Sequence, residues 1–164
     1  MKEADRKQRN QTMLQELYPA FRNKLVAVIA DLESRGLRPR IQCAWRSPDE
    51  QMAAFNSGNS KLKYGFHNVT GANGAKESLA VDLLDDDSPL DSRKSYLLQL
   101  ADAAKILGLN TGIRWGVPPG LVPAIDTAIA NKDWQANVKI GWDPTHVEPL
   151  GITPAQAKAG ARPV

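Results

Sequence analysis

Apolar residues recur at three- and four-residue spacing through the first part of the chain. The stripe consists of Leu14, Leu17, Phe21, Leu25, Val28 and Leu32, and Gly36 ends it. This spacing predicts a helix with one face toward a core. Pro19 lies inside the stripe and cannot donate a hydrogen bond to the preceding turn, so we expect the helix to kink or restart there.

The pattern then changes from helical spacing to alternation. In RIQCAWRS, residues 40–47, apolar side chains occupy every second position, at Ile41, Cys43 and Trp45, which predicts a half-buried strand. The next segment, SPDEQMAAFNSG, begins with a Ser cap, a Pro and a Glu three residues after the cap, and ends at Gly58. A short helix is predicted there, with Arg46 at the junction between strand and helix.

The second half of the chain alternates between strand-like and helix-like segments. LAVDLL at 79–84 predicts a buried strand, and residues 85–108 predict a helix with one apolar face that ends at Gly108. The remaining predictions are a strand over 109–116, a helix over 122–137, two strand pieces over 138–151 interrupted at Asp143 and Pro144, and a helix over 153–160. This order predicts an α+β fold in which helices cover a small, largely antiparallel sheet.

The length of the chain, 164 residues, fits a single domain over 1–164 with a polar tail at 1–11. No apolar run reaches the roughly 18 residues that span a bilayer, so we expect no stable membrane association. The opening MKEADRKQRNQ lacks the apolar stretch of a secretory signal. We therefore expect synthesis in the cytoplasm without a signal peptide.

Charge and cysteine content narrow the chemistry. The net charge is +3, from 21 basic and 18 acidic residues, which mildly favours anionic partners. The basic residues form no block and do not alternate with aromatic residues, so we expect no nucleic-acid partner. Cys43 is the single cysteine and cannot form an internal disulfide or a multi-cysteine zinc site. Metal chemistry would therefore depend on histidines and carboxylates.

The chain has two histidines, His67 and His146, and we expect both at a turn or a strand edge rather than on an apolar stripe. Asp82 lies within an apolar strand, where an ionised carboxylate costs on the order of several kcal/mol unless it is paired or bound to a metal. A catalytic zinc site uses three such ligands and leaves a fourth position open. Each residue alone is more typical of a structural role, but the three together supply a zinc-ligand set.

Four segments resemble one known family. They are WRSPDEQ at 45–51, the segment around His67, LAVD at 79–82 and DPTH at 143–146. Together they resemble the zinc D-alanyl-D-alanine carboxypeptidase and L-alanyl-D-glutamate endopeptidase family, which includes many phage endolysins. That family has a Ser-x-His-x-x-Gly-x-Ala-x-Asp pattern, then a carboxylate three residues before a second His, and a YRS..EQ segment upstream. The resemblance spans residues 40–150.

The resemblance implies a role for each matching residue. His67, Asp82 and His146 would bind Zn²⁺ at the face of the sheet, and Asp143 would be the catalytic base. Glu148 shares a strand face with His146, so it is either a competing base or a partner that orients a ligand. Arg46 would steady a carbonyl or carboxylate of the substrate with its planar guanidinium.

The chain also departs from the family pattern. His67 and Asp82 are fifteen positions apart, where the family commonly has seven, and Gly65 and Ser78 replace the usual Ser and Gly. We interpret TGANGAKE, residues 70–77, as a loop insertion that shapes one wall of a cleft. The three aspartates at 85–87 offer a substitute ligand or a calcium site, but their composition favours the start of the following helix.

The function implied by the resemblance is hydrolysis of a stem-peptide bond in peptidoglycan, with L-Ala-D-Glu as the expected bond. The alternatives are a D-Ala-D-Ala carboxypeptidase and a non-catalytic, zinc-containing module that binds the cell wall. We expect a monomer that acts on the wall in the periplasm after holin-type release. Its partner would be the peptidoglycan stem peptide.

Overall fold

A computed structural model describes residues 1–164 and contains six α-helices and one four-stranded sheet. The elements are α1 (Glu3–Leu14), α2 (Pro19–Ser34), β1 (Pro39–Cys43), α3 (Pro48–Asn56), β2 (Val81–Asp85), α4 (Lys94–Ile106), β3 (Leu109–Gly112), α5 (Val122–Ala130), β4 (Asp143–Pro149) and α6 (Pro154–Lys158). None of the helices combines the length and apolar character needed to cross a membrane.

The sheet has the order β1-β2-β4-β3, and all neighbouring strands are antiparallel. Its core face carries fully buried side chains, among them Ile41, Leu83 and Val147. Helix α4 belongs to the same core, and the buried Tyr96 hydroxyl donates to the Leu83 carbonyl at 2.9 Å. Because side chains alternate along a strand, Asp82 lies on the opposite face from Leu83. The predicted α+β class with a small antiparallel sheet is confirmed.

The first apolar stripe divides between two helices. Helix α1 ends at Leu14, and α2 begins with Pro19 at its first position, as the expected restart requires. Between them, Leu17 is fully buried and pairs with Ser78 in an isolated bridge. The rest of the stripe lies on α2, whose buried residues are Phe21, Leu25, Val28, Ile29 and Leu32.

Residues 1–11 were expected to be a polar tail, but most of them belong to α1. The Asn10 side chain donates to the Pro39 carbonyl at 3.0 Å and accepts from the Ile41 amide at 2.9 Å. Arg6 is buried and also donates to the Pro39 carbonyl, at 2.6 Å. Because β1 is an edge strand, these side chains satisfy backbone groups that no neighbouring strand pairs.

Other boundaries also differ from the predictions. Helix α4 begins at Lys94, because the carboxylates of Asp85, Asp86 and Asp87 pair with arginines rather than with a helix N-terminus. Strand β4 is one strand that begins at Asp143, and residues 138–142 are not a strand. The predicted interruption is wrong because the proline lies at the start of β4, where the pairing with β3 shifts and its missing N–H is tolerated.

Candidate metal centre

The register of the sheet brings three side chains of the site together. Asp82 on β2 pairs with His146 on β4 and with Cys43 on β1. Directly opposed residues of antiparallel strands have Cβ atoms only about 5 Å apart on the same face. The pairing therefore forms a row of Cys43, Asp82 and His146 across the middle of the sheet.

His67 joins this row from a 3₁₀ turn, Phe66–Asn68. Its Nδ1 lies 2.6 Å from the carbonyl oxygen of Ala44, which can only accept, so Nδ1 carries the hydrogen. Its Nε2 lies 3.4 Å from Asp82 Oδ1. In the neutral ring, the nitrogen that faces Asp82 therefore has a free lone pair.

His146 is held in a corresponding way. Its Nε2 lies 2.9 Å from Glu148 Oε2, two residues along the same face of β4, and its Nδ1 lies 3.4 Å from Asp82 Oδ1. A carboxylate that accepts from one ring nitrogen fixes the tautomer and increases the basicity of the other. Glu148 thus has the contact expected of a partner that orients His146.

The charges of the three side chains are strongly coupled. Burial opposes the charged form of both rings, but Asp82 raises the pKa of His67 to about 10, and Asp82 with Glu148 raises the pKa of His146 to about 9. Burial also opposes ionisation of Asp82, yet the two histidines hold its pKa far below the usual range. Without a metal, two protons therefore balance the carboxylates of this cluster.

Asp143 stands at the first position of β4, with Oδ2 3.9 Å from His146 Nδ1. Burial, followed by the nearby Asp82, raises its pKa above the usual value. Gly112 and Gly141 permit this placement, because a Cβ on Gly112 would collide with the Asp143 carbonyl and one on Gly141 with the Gly112 carbonyl. A carboxyl group with a raised pKa beside a metal site is suited to proton transfer.

Arg46 reaches the same cluster from the junction between β1 and α3. The Ser47 to Glu50 capping box that was predicted at this junction is present. The Arg46 Nη2 atom lies 3.9 Å from Asp82 Oδ2, and Nη1 donates to Gln51 Oε1 at 3.1 Å. The Arg46 amide also donates to the His67 carbonyl at 2.9 Å. The guanidinium is thus fixed beside the candidate ligands.

The cluster lies in an open cleft of about 350 Å³. All six residues singled out from the sequence line it, namely Arg46, His67, Asp82, Asp143, His146 and Glu148. The walls of the cleft include Trp115, Trp142 and Lys61, which were not predicted from the sequence. Trp142 directly precedes the DPTH segment, and this position is the one feature of the sequence that could have indicated its place in the cleft.

The donor set fits a metal ion. One nitrogen of each histidine and Oδ1 of Asp82 converge, and the side toward the cleft is open. Two overlapping groups could hold an ion, Cys43 with His67 and Asp82, and Asp82 with Asp143 and His146. Two neutral imidazole nitrogens and one carboxylate oxygen are a ligand set of catalytic zinc sites.

The loop at 70–77 does not form a wall of the cleft, contrary to expectation. It contacts the turn between α1 and α2, where Lys76 pairs with Glu16 at 2.8 Å, and the C-terminal segment, where Glu77 pairs with Arg162 at 2.7 Å. Residues 59–62, which follow α3, line the cleft instead. Asp85 likewise lies away from the cluster and pairs with Arg93, which leaves no support for a substitute ligand there.

No protein-family model and no curated protein matches the sequence. Solved structures do match. The L-Ala D-Glu endopeptidase ChiX of Serratia marcescens is 18% identical over 87% of this chain and 86% of that chain, with a TM-score of 0.52. The LdcB LD-carboxypeptidase is 17% identical over 88% and 72%, with a TM-score of 0.47.

A third match is the vancomycin resistance D,D-pentapeptidase VanY in complex with Zn(II), which is 15% identical over 83% of this chain and 74% of that chain, with a TM-score of 0.45. The likeness to ChiX shows that the two chains share a fold. The resemblance read from the sequence is therefore confirmed at the level of the fold.

Proposed function

We propose that this protein is a zinc-dependent peptidase that hydrolyses a peptidoglycan stem peptide, with L-Ala-D-Glu as the bond that is cut. One observation carries the proposal. Asp82 Oδ1 lies 3.4 Å from one nitrogen of each of the two histidines in the chain, inside an open cleft. The fold shared with an L-Ala D-Glu endopeptidase supports the choice of substrate.

His67, Asp82 and His146 would hold the zinc ion. When bound at such a site, zinc polarises a carbonyl group and lowers the pKa of water to about 7. Glu148 keeps His146 in the orientation that directs Nδ1 toward the ion, and the Ala44 carbonyl does the same for Nε2 of His67. The protein thus fixes both rings before any metal arrives.

Asp143 is the proposed general base. Its carboxylate faces the cleft and would take a proton from the attacking water, then deliver it to the leaving amine. The raised pKa makes Asp143 a stronger base in the first step, and the proton that it takes up is then available to the leaving amine. Glu148 is less suited to this role because its Oε2 is engaged by His146.

Arg46 would stabilise the oxygen of the scissile carbonyl. Its Nη2 lies 3.9 Å from Asp82, so the guanidinium borders the region where the reacting group must bind. Charge that develops on that oxygen in the transition state is stabilised most by donors that are already in place. The contacts of Arg46 with Gln51 and Cys43 hold it there.

The biological setting is part of the proposal. A monomeric enzyme of the phage endolysin type would be made in the cytoplasm and would reach the wall after holin-type release. The positive net charge suits an anionic wall polymer.

Digestion of purified peptidoglycan with and without a chelator tests this function. We expect new L-Ala carboxyl termini and D-Glu amino termini by mass spectrometry, loss of both with the chelator, and their return with added zinc. Release of D-Ala alone would instead support a carboxypeptidase. If the wild type and Asp143→Ala both stay bound to the wall and neither produces a new terminus, the result would support a binding module.

A further inference from the structure

Besides the histidines, the cleft is lined by one arginine and one lysine, and these two have different surroundings. Arg46 contacts Gln51 and Cys43 and lies near Asp82. Lys61 forms no ion pair, and its Nζ lies 4.4 Å from the centre of the Trp142 ring. A cation over an indole face is stabilised without being neutralised, so its charge stays available to a ligand.

The segment that carries Lys61 is anchored to the protein interior. Gln51 is buried, and its Nε2 donates to Ser60 Oγ at 2.8 Å and to the Leu62 carbonyl at 2.5 Å. Both neighbours of Lys61 are therefore tied to one side chain. Because Gln51 also accepts from Arg46, the same residue fixes the positions of both cleft cations.

Trp142 provides a rigid support under Lys61. Its ring lies 5.4 Å from that of Trp115, and its Cδ1 lies so close to Gly116 that an added Cβ would be 2.9 Å away. Half of the Trp142 surface is still exposed, and the residue lines the cleft. Since Trp142 directly precedes Asp143, this platform borders the place where the bond would be cut.

The other charges of the cleft decide what this platform can bind. Asp82, Asp143 and Glu148 line the cleft beside the two histidines and Arg46, so their charges are already balanced there. Lys61 pairs with no carboxylate, so its charge is left for an anionic ligand group. We propose that Lys61 on the Trp142 platform binds a free carboxylate of the substrate residue next to the scissile bond, and so selects acidic peptides. This inference rests on the proposed function.

Stem peptides offer two sources of that carboxylate. D-Glu that is linked through its γ-carboxyl group keeps a free α-carboxylate beside the nitrogen of the L-Ala-D-Glu bond. A terminal D-Ala carries its own carboxylate beside the preceding bond. Both would present the same group to Lys61, so synthetic peptides must vary the two positions separately.

The test compares four stem peptides with the α-carboxyl group of D-Glu and the C-terminal carboxyl group each either free or amidated. At one of the two positions, we expect the zinc-loaded wild type to cut the peptide with the free carboxylate with about tenfold higher kcat/KM than the amidated peptide, mainly because its KM is lower. Lys61→Gln should lose that preference, and Lys61→Arg should keep most of it. The position whose amidation matters identifies the source of the carboxylate.

Lys63→Gln is the matched control. Lys63 is two residues away and exposed, its Nζ lies 5.4 Å from the Phe55 ring, and it does not line the cleft. The control should keep the full preference of the wild type. An equal loss in Lys63→Gln would show that only the overall positive charge matters and would overturn the assignment to Lys61.

A binding measurement separates this inference from the proposed function. Titration of the zinc-free protein with the product peptide that begins with D-Glu should quench tryptophan fluorescence, with about tenfold weaker binding in Lys61→Gln. If the wild type cuts the four peptides at equal rates, the carboxylate site is wrong while the peptidase function stands. If it cuts none of them and no product binds, both are wrong.

Discussion

Strand β2 and the residues after it carry carboxylates that are balanced in two different ways. At the C-terminal end, Asp85 is fully buried and accepts from Arg93 at 2.6 and 3.1 Å. Asp86, the next residue, pairs with Arg40 at 2.8 Å. Three residues before Asp85, Asp82 faces one nitrogen of each histidine at 3.4 Å.

The difference lies in whether the partner cations can lose their protons. An arginine keeps its charge at any pH that a folded protein experiences, so the pairs at Asp85 and Asp86 are permanently neutralised. A histidine can give up its proton, so the charge balance at Asp82 can change. A divalent cation can therefore replace the two protons of the histidines at Asp82, but it has no such opportunity at Asp85.

Removal of a histidine should have the largest effect. We expect His67→Ala and His146→Ala to lose bound zinc and hydrolysis together, because three ligands are needed to hold the ion. Elemental analysis of the purified variants measures this directly. Wild-type zinc content in both variants would show that the ion, if present, is bound elsewhere.

Asp143→Ala should lower turnover by about 10²- to 10⁴-fold, the usual contribution of a general base, while zinc stays bound. Glu148→Ala should have a milder effect, because His146 loses an orienting partner but remains a ligand. Hydrolysis rates and zinc content are compared for the two variants. A loss confined to Glu148→Ala would reverse the two roles.

Arg46→Lys keeps the positive charge but loses the planar pair of donors. We expect a loss of about 2 to 3 kcal/mol of transition-state stabilisation, measured as kcat/KM on wall fragments. Zinc content and melting temperature should stay near the wild-type values. Hydrolysis at the wild-type rate would show that Arg46 is a structural residue of the α3 junction.

No effect on zinc binding or turnover is expected from a change at the other end of β2, where only stability should change. Asp85→Asn weakens two charged hydrogen bonds from Arg93, so the free energy of unfolding should fall by about 1.5 to 3 kcal/mol in denaturant titrations. Zinc content and turnover should be retained. A loss of zinc in this variant would mean that the two ends of β2 are not independent.

Local signals in the sequence were sufficient for much of the fold. The capping box at Ser47 and the restart at Pro19 depend on residues close together in the chain, and both are present. Helix α1 was missed because its side chains are polar, and the burial of Arg6 and Asn10 depends on contacts with β1 about thirty residues away.

The candidate site likewise has residues that the sequence predicted and residues that depend on distant contacts. The residue types and their order predicted the candidate ligands, because the chain has only two histidines and one cysteine. The walls were not predictable, since Lys61 and Trp142 come together only when the segment after α3 folds over the start of β4. The loop at 70–77 was predicted to line the cleft because it follows His67 in the sequence. Its ion pairs with Glu16 and Arg162 hold it away from the cleft instead.

Calorimetric titration measures whether zinc replaces protons at Asp82. With pKa values of about 10 and about 9, both histidine rings are positively charged at pH 7, while zinc binds only the neutral rings. Each ring must therefore release one proton when zinc binds. Zinc affinity should therefore rise as pH rises toward those values and fall as pH falls. Titrations at pH 7 in buffers of different ionisation enthalpy should show about one zinc bound and about two protons released per chain. Zinc binding without proton release, or no zinc binding to the wild type, would show that zinc does not replace the histidine protons at Asp82.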